Sequence, residues 1–170
     1  MADGPDASYL VDPQGGATAE QMALARIRQL SAHEVGHAIG LAHNFAASTR
    51  NRASVMDYPA PRVKIVEGHI DLSDAYATGI GEYDRTAIAY GYRQFAPGAN
   101  ERTELDRLVS EAIAGGMRFL SDEEARPASA ADPRARLWDN GDDAVANLRH
   151  EMKVRRLAMD RFGVASIADG

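Results

Sequence analysis

His33-Glu34-Val35-Gly36-His37-Ala38-Ile39-Gly40-Leu41-Ala42-His43 is the stretch on which the reading of this chain turns. His33 and His37 stand four residues apart, so on a helix their imidazoles emerge from one face on successive turns. Two nitrogens presented that way can chelate one Zn²⁺ at about 2.0–2.1 Å each, with a third protein ligand arriving from elsewhere and one position left for water. His43 lies six residues beyond His37, and a helix continuing through it would carry its ring well away. If Gly40 breaks the helix with a sharp turn, the chain folds back and His43 reaches the same ion, because glycine tolerates the left-handed conformation at which helices end. The candidate metal ligands are therefore His33, His37 and His43, and the implied cofactor is Zn²⁺. Glu34 adjoins the first ligand, close enough to contact a zinc-bound water and poorly placed to bind the metal. Zinc lowers the pKa of such a water to near ~7, and a neighbouring carboxylate can take its proton during attack on a carbonyl and hand it to the leaving amine. That is the chemistry of peptide hydrolysis. At this chain's own residue frequencies HExxH arises by chance in about one such chain in a hundred, and the full HExxHxxGxxH in a few per hundred thousand, so the long pattern carries the weight.

The string HEVGHAIGLAH resembles the zinc-binding signature of the metzincin metalloproteases. In that clan a tight turn carrying a methionine follows the signature, and Ser54-Val55-Met56-Asp57-Tyr58, with Met56 13 residues after His43, resembles that Met-turn. The resemblance implies that Met56 forms an apolar floor under the imidazoles without ligating. It also implies that Tyr58 occupies a position from which a metzincin tyrosine can reach the metal or the oxyanion. Glu34 and Tyr58 are the candidate catalytic residues on that basis, and a plain buried or surface tyrosine is the alternative for Tyr58. The wider context (HNFAAS, MDYPAPRVK, DLSDAYATGIGEYDRTAIAYGYR) is similar to large bacterial zinc-dependent metalloproteases of this clan that carry domains of unknown function. The similarity is specific over residues 20–95. It implies a polypeptide substrate and an extracytoplasmic compartment, although residues 1–16 lack the basic start and apolar stretch of a signal peptide.

Metzincin catalytic domains place a twisted sheet upstream of the zinc helix, and its edge strand holds substrate. Only 17 residues precede Thr18, too few for four or five strands at about 5–6 residues each. The expectation is a fragment whose upstream β-sheet is missing, with a flexible segment at 1–17 and a zinc-helix and helical C-terminal subdomain over 18–170. A zinc helix stripped of its sheet would expose apolar surface, which favours self-association. A rival reading of a different class is a non-catalytic metal-binding or assembly module of a larger protein.

Outward from the motif, the chain reads as mostly α with a small β-hairpin. Thr18-Ala-Glu-Gln21 fits a capping box that starts a long helix running to about Leu41, with Ile27, Leu30, Val35, Ala38 and Ile39 able to face a core. Val63–Val66 and His69–Leu72 form a hairpin around Glu67-Gly68, and helices follow over 82–95, 101–114 and 142–162. The last carries Val145, Leu148, Met152, Met159 and Phe162 as its expected apolar stripe. Residues 121–133 read as a polar connection. Three weaker features have plain structural readings. Ser31-x-x-Glu34 fits a second capping box; His69 with Glu67 and Asp71 fits the wet face of a hairpin; Asp139–Asp143 fits a turn before a helix cap.

Composition sets the outer limits. The 170 residues are 45% hydrophobic, enough for a core and too many for an intrinsically disordered chain. A net charge of −6 argues against a duplex nucleic-acid partner, which would need to be met by surplus cations. No apolar run approaches the ~20 residues of a membrane span. The absence of cysteine removes thiolate ligands and disulfides together.

Overall fold

The computed structural model describes residues 16–161. Most of the segment expected to be flexible, and Phe162 at the end of the expected last stripe, lie outside the described residues. The elements in chain order are α1 (Ala19–Ala38), a 3-10 turn (Ala47–Arg50), β1 (Lys64–Val66), β2 (His69–Asp71), α2 (Glu82–Tyr92), α3 (Glu101–Ala114), the short α4 (Asp122–Ala125) and α5 (Ala144–Arg161). The fold is mostly helical with one two-stranded antiparallel hairpin.

Local chemistry accounts for the boundaries. The Thr18 hydroxyl accepts from the Gln21 amide at 3.1 Å and the Gln21 side chain accepts from the Thr18 amide at 2.9 Å, the reciprocal box expected of a helix start. At the other end Gly40 sits at φ +88°, and the Leu41 amide reaches back to the Gly36 carbonyl at 3.0 Å. That left-handed residue ends α1 and reverses the chain. In the hairpin, Ile65 pairs with Ile70, and the two turn residues Glu67 and Gly68 both have positive φ, the backbone of the turn that matches strand twist.

The hairpin supplies one core. Ile70 and Leu72 join Val63, Ala75 and Val154 of α5 in a buried cluster, with Met22, Tyr76, Leu157 and Ala158 packed around it. Phe45, Ala46, Ala47, Ala53, Val55 and Met56, in the stretch that follows α1, are buried as well. The start of α2 is bolted to this loop by Asp84, which is 1% exposed. One of its oxygens accepts from the amides of Gly81 at 2.7 Å and Val55 at 2.8 Å, and the other accepts from the Ser54 hydroxyl.

Two expectations about the core are corrected. Ile27, Leu30 and Val35 of α1 are exposed, the first and last to 58% and 60%. The buried positions of α1 are Gln29, His33 and Gly36. In α5 the expected stripe Val145, Leu148, Met152 and Met159 is exposed, and Val154 is the buried residue. Periodicity marked apolar faces correctly as faces, but the face that meets the rest of the chain is the one bearing groups the loop can satisfy. Replacing Asp84 with Ala would leave the Val55 amide unpaired in a dry interior. Asp84→Ala is expected to cost on the order of 3 kcal/mol in a urea unfolding curve. A denaturation midpoint equal to wild type would show that this clamp does not hold the loop.

Candidate metal centre

His33 and His37 project from successive turns of α1, and the reversal at Gly40 brings His43 back to them. The Nε2 atoms of His33 and His37 are 3.0 Å apart, and those of His37 and His43 are 3.1 Å apart. All three ligand atoms lie within 4.8 Å of one another, forming the one group of three or more such side chains among the described residues. A tetrahedral ion with bonds of about 2.0–2.1 Å would hold its nitrogens about 3.3 Å apart, so a small outward adjustment accommodates zinc.

The other ring nitrogens determine what these atoms can do. Nδ1 of His33 donates to the Val55 carbonyl at 2.7 Å, and Nδ1 of His37 donates to the Leu41 carbonyl at 2.9 Å. Nδ1 of His43 donates to Oδ2 of Asp122 at 2.6 Å. Carbonyl oxygens accept and cannot donate, so the proton of each of the first two rings must lie on Nδ1. A neutral ring so fixed has only a lone pair at Nε2. With all three rings neutral, the centre is a convergence of three lone pairs, an arrangement that suits a cation. Burial is the largest influence on His33 and pushes its pKa below the usual value, against the Val55 hydrogen bond; this favours the neutral form a metal requires.

The loop carrying Met56 packs against α1 at Gly36. Met56 is fully buried, and a Cβ on Gly36 would come within 2.2 Å of its Sδ, so α1 and this methionine touch only because residue 36 has no side chain. The Tyr58 ring centroid is 5.0 Å from those of both His33 and His43. Glu34 is solvent-exposed beside His33, and its charge acts on that ring. Ser31 lies inside α1 rather than at its start, so Glu34 is not a helix cap. Asp143 accepts from the Val145 and Ala146 amides as a cap, and Glu67 and Gly68 make the hairpin turn, while His69 and Asp71 are half-buried on β2 and His69 meets Arg161 at 3.1 Å.

Three neighbours of the site escaped the sequence reading. Asp122 lies 79 residues from His43, in the stretch that read as a polar connection. Trp138, the single tryptophan, packs against Tyr58 with ring centroids 5.6 Å apart, and its amide donates to the Tyr58 carbonyl at 2.8 Å. Its φ of +67° is a strained conformation for so large a side chain. Buried Asn44, directly after His43, was the one with a visible signal, a polar residue between the third histidine and Phe45.

A metzincin-like fold carrying a clustered three-histidine site is the class these observations define. A family model described as Met-zincin matches residues 16–170, and the chain belongs to that family. No curated protein and no solved structure matches it.

Asp57, between Met56 and Tyr58, gives the site a pH dependence. Its carboxylate accepts from the Ser48 and Tyr58 amides, both at 2.7 Å, yet burial raises its pKa from 3.8 to about 7. In that interval the folded chain keeps a proton that the unfolded chain releases. The associated stability is therefore present at low pH and is lost as pH rises through about 7. Asp57→Asn cannot titrate, so wild type should lose stability relative to it between about pH 4 and 7 in paired thermal melts. A difference constant across that range would refute the assignment.

Proposed function

We propose that this chain is a zinc-holding module that binds one Zn²⁺ through His33, His37 and His43 and serves as part of a larger protein. The observation that carries the proposal is the convergence of three Nε2 atoms whose rings are held through Nδ1. Three neutral imidazoles suit a borderline-soft divalent ion, and three protein ligands leave a fourth position open. The assembly part of the reading rests on the apolar side chains of Leu24, Ile27 and Val35, exposed on the side of α1 away from His33. Their burial against another copy or another part of a longer protein would be favourable by roughly 25 cal/mol per Å².

A second reading, zinc-dependent endopeptidase, is favoured by Glu34. When bound, zinc acidifies water and polarises a carbonyl. The exposed carboxylate of Glu34, on the same turn as His33, is then the base that takes the proton of the attacking water and the acid that returns it to the departing amine. Tyr58, against two of the imidazoles, would supply a hydroxyl to the developing oxyanion. The substrate in this reading is a polypeptide, and family resemblance suggests an extracytoplasmic setting.

Elemental mass spectrometry on protein purified without chelators or a His-tag should find close to one zinc per chain, reduced to near zero in His37→Ala. Zinc absent from the wild-type protein would end both readings. Hydrolysis of an unfolded protein then separates them. The endopeptidase reading requires cleavage that falls about 10²–10⁴-fold in Glu34→Gln while the zinc content stays constant. Zinc bound with no cleavage leaves the module reading, and undiminished cleavage in Glu34→Gln removes that residue from the mechanism.

A further inference from the structure

We infer that Asp122 is a positioning residue for the metal, the outer carboxylate that orients and polarises His43; the inference rests on the zinc reading above. The contact between Nδ1 of His43 and Oδ2 of Asp122 is 2.6 Å, the short distance of a charge-assisted hydrogen bond. His33 and His37 donate instead to neutral carbonyls, so His43 is the one ring of the three that a charged group orients.

The surrounding contacts show that Asp122 is delivered to this ring by the backbone. Asn44, 1% exposed, donates through Nδ2 to the Arg118 carbonyl at 2.9 Å and accepts through Oδ1 from the Leu120 amide at 3.2 Å. The Phe45 amide donates to the Leu120 carbonyl at 2.8 Å. These bonds staple residues 118–120 to residues 44–45, and the next two positions of the incoming chain bring Asp122 beside His43. The remaining oxygen of Asp122 accepts from Nε of Arg126, one turn on, whose guanidinium lies 5.8 Å from the centre of the Phe45 ring. Both carboxylate oxygens are therefore engaged, and the side chain is fixed in direction.

Electrostatics supplies the reason for a carboxylate here. Three neutral imidazoles leave the +2 charge of a bound zinc uncompensated by its ligands. Asp122 supplies negative charge through the ring it touches, makes the Nε2 lone pair of His43 a stronger donor and holds the ring at the angle that binding requires. His43 needs this more than its partners do, since it stands on a loop beyond the end of α1.

The test uses the whole chain and compares wild type with Asp122→Ala and Asp122→Asn. Zinc affinity is measured by competition against a chromogenic chelator, the visible spectrum of the Co²⁺-loaded protein is recorded, and the metal-free proteins are melted. Asp122→Ala should bind zinc about 10–100-fold more weakly and show an altered Co²⁺ spectrum. Asp122→Asn keeps an acceptor oxygen for Nδ1 of His43 but loses the charge, so its affinity should fall between the two. That intermediate variant carries the test if the alanine protein does not fold. A purely structural role would lower the metal-free melting temperature while leaving the Co²⁺ spectrum and zinc affinity of the folded Asp122→Asn protein at wild-type values, which overturns the inference. Wild-type protein that takes up neither metal removes the zinc reading and this inference together. Wild type that binds normally beside an unaffected Asp122→Ala removes only the inference.

Discussion

A neutral imidazole that donates its Nδ1 proton to an acceptor offers a lone pair at Nε2, and this chain gives three rings such Nδ1 acceptors around one point. Three nitrogens gathered about 3 Å apart can coordinate a divalent metal, and their surroundings hold them in that arrangement. Each ring is held by a different part of the chain. Val55 of the Met-turn holds His33, Leu41 of the reversing turn holds His37, and Asp122 at the start of α4 holds His43.

Much of the remaining structure serves those three acceptors. Val55 can present its carbonyl to His33 because its own amide is taken by Asp84, which simultaneously caps α2. Leu41 faces His37 because Gly40 permits the left-handed turn. Asp122 reaches His43 because Asn44 and Phe45 grip the backbone just ahead of it. The small hydrophobic core beside the hairpin and the buried residues of the stretch that follows α1 provide the rigidity from which these contacts work.

The same structure leaves long apolar stripes facing solvent on α1 and α5. An amphipathic helix normally buries its apolar stripe, whereas here α1 turns inward the side bearing Gln29, His33 and Gly36. Gln29 finds the Val55 carbonyl, His33 finds the same oxygen, and Gly36 admits Met56. The demands of the site and the closeness of the Met-turn outweigh the apolar stripe in setting the rotation of the helix within the described residues.

Sequence alone determined whatever depends on neighbours a few residues apart. The capping box at Thr18, the stop at Gly40, the turn at Glu67-Gly68 and the four-residue spacing of His33 and His37 are each complete within one or two turns of chain. The helical class, the hairpin and the three-histidine cluster were legible for that reason. Tertiary structure alone decided which helix faces are buried, and it alone brought Asp84 to Val55, Trp138 to Tyr58 and Asp122 to His43. Periodicity states that a helix has an apolar side without stating what will meet it. A carboxylate 79 residues from its histidine has no spacing to betray it, because the distance between them is set by the packing of every element in between.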